Sequence, residues 1–192
     1  LEGSIYSCGN IIQWLRDKMK FFKHASESEH FLNRNGDSNK VIFIPAFNGL
    51  GAPFWDSKIR ASFYGITQDS SIENMITAAF HSITFQTKEI TTILENNDIK
   101  INKLFVDGGM VANKTFCQVL ANTLQKDIYR PENVESTALG ACKVAMIASG
   151  ESIKASQANA EIFKSDSDLK SVYENEHSAW LNHLKELLEK KD

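Results

Sequence analysis

Residues 103–116, KLFVDGGMVANKTF, constrain the fold more than any other stretch: an apolar run stops at two adjacent glycines and resumes at helical spacing. The same order returns immediately, with DIYRP as a second short strand and a second helix from about Ser136 to Ser149. Strands alternating with helices predict an α/β architecture in which helices cover a sheet. A strand that ends in Asp107-Gly108-Gly109 and enters a helix leaves unpaired N–H groups, with about half a positive charge, at the carboxyl end of that sheet. The glycines remove the Cβ atoms that would hold an anion away and permit a positive φ. Equally, two glycines make a tight strand-to-helix turn with no ligand at all. GxxxxGK[ST] is absent, and GGMVAN is not the GxGxxG of a dinucleotide fold, so a nucleotide here would use another scheme.

Asn113 is expected about one turn into the helix on the side of Gly109, where its amide either meets a base or ribose or simply faces solvent or caps locally. Asp107 would be repelled by a polyphosphate unless Mg²⁺ or ordered donors intervene, and is expected to hold the turn through backbone amides. Gly9 and Gln13 repeat the pattern of a glycine at a helix start with a carboxamide one turn later.

Elsewhere, Ile5 to Ser7 reads as a short strand, and residues 9–22 place Ile11, Ile12, Leu15, Met19 and Phe22 on one helical face. Asn35-Gly36-Asp37 is a turn signal before the buried strand VIFIPAF, which Pro45 ends. Residues 46–60 form a packed loop carrying Phe47, Phe54 and Trp55, and ASFYGIT is a further strand. Ser70 and Glu73 are spaced as a capping box for a long helix with Ile72, Ile76, Ala79, Ile83, Ile90 and Leu94 on one face. In the 136–149 helix, Ala138, Ala141, Ala145 and Ala148 make a small-residue face suited to close approach of another backbone. Residues 151–168 are polar and weakly patterned, and a last helix carries Tyr173, Trp180, Leu184, Leu187 and Leu188.

With 192 residues the chain has room for one domain and a real core. No apolar run approaches the roughly 18 residues needed to span a bilayer, and a net charge of −3 with interleaved signs argues against nucleic acid as partner. Cys8, Cys117 and Cys142 lack CxxC spacing, so free and mostly buried thiols in a reducing cytoplasm are expected. His24, His30, His81, His177 and His183 lack HxxxH or HExxH spacing and are expected at the surface with no metal. Asp56 and Arg60 are spaced as a solvated ion pair. The opening LEGSIYS reads as the middle of a longer protein.

Taken in order, LEGSIYSCGNIIQWLRD, IPAFNGLGAPFWD, YGITQDSSIENMITAAFHSITFQT, VDGGMVANKTFCQVLAN and RPENVESTALGA resemble the FGGY family of carbohydrate kinases over essentially the whole chain. GLGAPFWD followed by DGG.VAN and TALGA points to the members that phosphorylate glycerol more than to those acting on pentuloses. The resemblance implies an α/β domain of the ribonuclease H-like (actin/hexokinase) type, a mixed sheet flanked by helices, here the C-terminal nucleotide-binding domain without its first strands. It implies ATP/ADP contacts at Gly9, Gln13, Gly108, Gly109 and Asn113, with no catalytic residue in this chain. Mg²⁺ would be held mainly by the nucleotide and the N-terminal domain, and glycerol only through that domain; oligomerisation is left open. A different acceptor sugar, or a remnant without catalysis, stays as an alternative. His81 stands where the family usually has an acid or amide, and Gln68-Asp69 replace a basic-glycine pair; weakening of a helix-surface or interdomain contact is the expected effect of the first.

Overall fold

The computed structural model describes residues 5, 8–32, 37–133, 135–152 and 159–190. Tyr6 and Ser7 of the strand expected at Ile5 to Ser7, and the Asn35-Gly36 half of the expected turn, lie outside them.

The first helix, α1 (Cys8–Asp17), buries Ile11, Ile12 and Leu15. It stops short of the expected Phe22 because Lys20 takes a left-handed φ of 59°, which turns the chain back: Phe22 is still buried, while Met19 is left 39% exposed. After one short turn, α2 (Ser28–Phe31), β1 (Ile42–Ile44) and β2 (Ser62–Tyr64) pair antiparallel, Phe43 opposite Phe63. The long helix α3 (Ile72–Asn96) follows. Its capping box sits one residue later than the sequence spacing suggests: Ser71 accepts from the Asn74 N–H and the Asn74 side chain accepts from the Ser71 N–H. An Asn at this position closes the reciprocal pair as well as a Glu does.

The second half alternates as expected. β3 (Leu104–Phe105), α4 (Lys114–Leu124), β4 (Ile128–Pro131) and α5 (Ser136–Ala148) precede a strand that the sequence pattern hides, β5 (Ala160–Phe163), and α6 (Lys170–Glu189) closes the chain. β5 falls in the stretch read as unpatterned, because four residues with a single buried side chain, Phe163, leave almost no period to detect. The sheet runs β3-β4-β5, with β3 parallel to β4 and β5 antiparallel to it, and β1-β2 form a separate ribbon.

Packing follows from β1, which is buried on both faces. Val41 and Phe43 join the main core with α1, α3, α4 and β4, whereas Ile42 and Ile44 join a second cluster with Phe85, Trp180 and Leu184 beneath α6. The buried Trp180 indole donates to the Phe43 carbonyl at 3.0 Å, satisfying the polar end of a large apolar ring. Residues 76–86 of α3 are all buried, polar ones included. Ser82 and Thr84 hydroxyls donate to the carbonyls of Ala79 and His81, at 2.7 and 3.0 Å, so burial leaves those donors satisfied. His81 and Gln86 are the exceptions: the Gln86 Nε2 is unpartnered, and His81, 1% exposed and tilted against the rings of Phe85 and Tyr173, has no hydrogen-bond partner for either ring nitrogen among the described residues. The expectation of a surface histidine is therefore corrected at this position, where the helix is surrounded on every side.

Candidate functional site

The Gly108-Gly109 turn does not run straight into an α-helix. A 3-10 turn, Gly109–Ala112, intervenes, and Asn113 is the N-cap of α4, not a residue one turn inside it. The Asn113 Oδ1 accepts from the Phe116 N–H at 2.8 Å, which uses one end of the amide for capping. The other end, Nδ2, is buried without a hydrogen-bond partner among the described residues. A buried donor left unpaired is costly, and no described residue supplies its partner.

Gly108 has φ 92°, a conformation that strains any side chain with a Cβ. Among the described residues, a Cβ placed on Gly108 or on Gly109 would meet no atom within 4 Å beyond its chain neighbours. Two other loop glycines differ, since a Cβ on Gly49 would collide with the backbone of Asp56 and one on Gly65 with that of Lys40, whereas Gly150, with φ 88°, is as open as Gly108. Those two glycines are required by protein packed on protein. At Gly109 the protein demands no glycine, and the bare backbone faces open space.

What holds the turn is not Asp107, which is exposed and makes no hydrogen bond among the described residues. The Val111 N–H donates to the Gly108 carbonyl at 3.2 Å. Arg130, on β4, then donates through Nη1 to the carbonyls of Val111 and Ala112, at 3.0 and 3.4 Å. Arg130 also pairs with Glu161 on β5, and Lys114 bridges to the same carboxylate at 3.0 Å. These cations keep the Glu161 carboxyl below its usual range, the Lys114 hydrogen bond foremost. A cation in the middle of DIYRP is the signal by which Arg130 stands out once the strand is placed: its neighbour across the sheet is Glu161.

At the other end of the chain, Gly9 sits in the first turn of α1, exposed, and an added Cβ would again meet nothing. Gln13 is exposed one turn later. α1 packs against the Gly109–Ala112 turn, with Ile11, Ile12 and Val111 in one core and Cys8 and Met110 at its border. The two glycine-amide pairs, separated by some hundred residues of sequence, are thus carried on adjoining elements. Burial pushes the Cys8 thiol up to about 11 and the Cys117 thiol likewise to about 11, so neither is a nucleophile. Cys142, expected with the buried thiols, is exposed.

Asp56 is buried and accepts from the N–H groups of Lys58 and Ile59, while Arg60 donates to the carbonyls of Ser57, Lys58 and Ile59. Both expected partners are engaged in shaping the 46–60 loop. An aromatic groove of about 330 Å³ between Trp14, Phe43, Phe47 and Phe63 adjoins that loop, and the glycine turn is not part of its lining. Among the described residues no group of His, Cys, Asp or Glu is arranged to hold a metal ion, and no helix is long and apolar enough to cross a membrane.

Residues 1–149 match the model of the FGGY family of carbohydrate kinases, C-terminal domain. The glycerol kinase of Xanthomonas campestris pv. campestris is 41% identical over 151 residues, which are 78% of this chain and 30% of the relative. That of Streptococcus pyogenes serotype M6 is 38% identical over 191 residues, 96% of this chain and 38% of the relative. The chain therefore spans about a third of the length of the relatives it matches. Among solved structures, Plasmodium falciparum glycerol kinase with ADP superposes with a TM-score of 0.77 at 30% identity, covering 97% of this chain and 38% of that one. A ligand-bound xylulose kinase from Lactobacillus acidophilus superposes with a TM-score of 0.80 at 21% identity, covering 97% and 39%, which shows a shared fold. By its sequence match and its fold alike, the chain belongs to the FGGY family of carbohydrate kinases and corresponds to its C-terminal domain.

Proposed function

We propose that residues 1–192 form the nucleotide-binding C-terminal domain of an ATP-dependent glycerol kinase, incomplete at its N-terminal side, whose full-length form converts glycerol to glycerol 3-phosphate. Glycerol is favoured over another sugar acceptor by the 38–42% identity to glycerol kinases. The observation that carries the reading is the bare backbone at Gly108 and Gly109 beside the unpaired buried Nδ2 of Asn113. Open space over a positive-φ glycine, a helix start and an orphaned donor together fit an anionic, hydrogen-bonding ligand, and ADP in the Plasmodium falciparum relative is a ligand of that class.

In this reading Gly108 and Gly109 let a phosphate or ribose approach the turn, Asn113 donates to the nucleotide, and Gly9 and Gln13 line the adjoining wall on α1. ATP supplies the phosphoryl group; this chain binds and orients it. Mg²⁺ travels with the polyphosphate and with groups outside the matched region, as does the acceptor site. Phosphoryl transfer depends on positioning and charge stabilisation from both sides of a closing cleft, so the chain alone is expected to bind nucleotide and transfer nothing. A cytoplasmic location accords with free thiols.

Calorimetric titration with ADP tests this. Binding in the micromolar to millimolar range, abolished by Gly109→Val with the thermal midpoint unchanged, is the expected outcome; no heat at several millimolar ADP would sink it. An unchanged midpoint is expected because a Cβ added at Gly109 meets no described atom within 4 Å beyond its chain neighbours.

A further inference from the structure

The residues on either side of Asn113 are tied to the two oxygens of one carboxylate. Upstream, Arg130 Nη1 donates to the carbonyls of Val111 and Ala112, while its Nη2 pairs with Glu161 Oε2 on the neighbouring strand. The guanidinium also lies over the Phe163 ring, 5.7 Å from its centroid, and the Arg130 side chain is only 17% exposed. A planar cation held along two edges and over one face has a single orientation. Downstream, Lys114 donates to Glu161 Oε1 at 3.0 Å. Ala112, through Arg130, and Lys114, directly, therefore converge on Glu161, and the unpaired Asn113 Nδ2 stands between them.

This bracket contributes little to overall folding. Lys114 and Glu161 are 58% and 41% exposed, and ion pairs between groups so exposed add little stability. Helix α4 has a separate anchor in its first turn: Thr115 donates through its N–H and hydroxyl to Glu29 on α2, at 3.2 and 3.3 Å. The glycine turn has less to hold it. The Val111 N–H reaches the Gly108 carbonyl and the Asn113 N–H the Met110 carbonyl, both at 3.2 Å, and a 3-10 turn of four residues is a weak element by itself. Two glycines add freedom to it. A binding constellation must be held to within about 0.5 Å by groups behind it, and here those groups are Arg130 and Glu161.

We propose that Arg130 and Glu161 are positioning residues for the ligand: acting through Ala112 and Lys114, they hold the glycine turn and the Asn113 Nδ2 in binding geometry without touching the ligand. The inference rests on the nucleotide reading above. It also reaches past the family match, which ends at residue 149, because β5 supplies Glu161. A strand outside the matched residues thus sets the affinity of a site within them.

The test is calorimetric titration of the 192-residue chain with ADP, thermal midpoints being measured alongside, for the wild type and for Arg130→Gln, Arg130→Lys and Glu161→Gln. Arg130→Gln is expected to weaken ADP binding at least about tenfold, the scale of a lost hydrogen bond to a charged group, with little change in midpoint. Arg130→Lys should recover only part of the affinity, since an ammonium carries the charge without the planar fork. Glu161→Gln should weaken binding less than Arg130→Gln, because Arg130 keeps its two carbonyls. Without ADP, amides of residues 109–113 should exchange faster in each variant while those of 76–86 in α3 stay unchanged, a local opening that a general loss of stability would not produce. Wild-type affinity in Arg130→Gln overturns the inference and leaves the nucleotide reading standing. So does faster exchange spread through α3 with a lowered midpoint in all three variants, which would make the bracket structural only. Absence of ADP binding by the wild type ends the nucleotide reading and this inference with it.

Discussion

Helices α4 and α5 follow consecutive strands of one sheet, yet nine of eleven residues in α4 are buried and none of thirteen in α5. α4 reaches that burial with Thr115, Asn122 and Thr123 among its covered residues, whereas α5 has scarcely a polar side chain beyond Lys143. Covered surface is therefore decided by neighbours and not by composition. α4 lies against α3, β4 and α6, with Phe116 at 5.8 Å from Phe80 and Thr123 bonded to Thr84. Nothing described stands opposite α5.

The contrast can be broken most directly by paired truncations. Phe116→Ala is expected to cost about 3–5 kcal/mol in urea unfolding, through lost transfer energy and a cavity beside Phe80. The contrast fails if the same truncation on α5 costs as much.

A second difference lies in titration, since the covered layer holds an ionisable ring and α5 holds none. Burial depresses the His81 pKa from 6.5 to about 4, opposed by the charge of Asp37. Between those values the unfolded chain binds a proton that the folded chain refuses, so the contribution is complete above pH 6.5 and drains away as pH falls towards 4. The loss should reach about 3 kcal/mol across that window, read from denaturation midpoints as a function of pH, and His81→Leu should flatten the curve there. A persistent slope in that variant would assign the dependence to other groups.

Smaller effects sharpen the picture at the edges. Asn113→Ala removes the α4 cap and is expected to cost about 1 kcal/mol, together with a weakening of ADP binding that restoring stability by other means would not rescue. Gly108→Ala should cost about 1 kcal/mol through its φ of 92°. Smallest of all, Ile147→Ala should fall within about 0.5 kcal/mol in the isolated chain, measured beside Phe116→Ala in the same titration.

Much of this architecture was legible beforehand because it rests on local signals. The period of Ile76, Ala79 and Ile83 marked α3, Pro45 ended β1, and the two glycines marked the turn that now stands open. The glycine-amide pairs were legible as well, and the fold sets α1 beside the glycine turn. Hidden were β5, too short to show a period, and the clamp from Arg130, which exists only when β4 lies beside the turn. His81 looked like a surface residue because a polar letter within a helical stripe says nothing of what packs on its far side.

The amino-acid order by itself determined where helices start, where strands end and where the Gly108 turn lies, since capping, proline geometry and positive φ act within a few residues. Only tertiary structure decided which of two comparable helices is enclosed, that α1 adjoins the glycine turn, and that His81 is dry. Those outcomes depend on elements far apart in the chain coming into contact, and burial, unlike a backbone angle, belongs to both surfaces that meet.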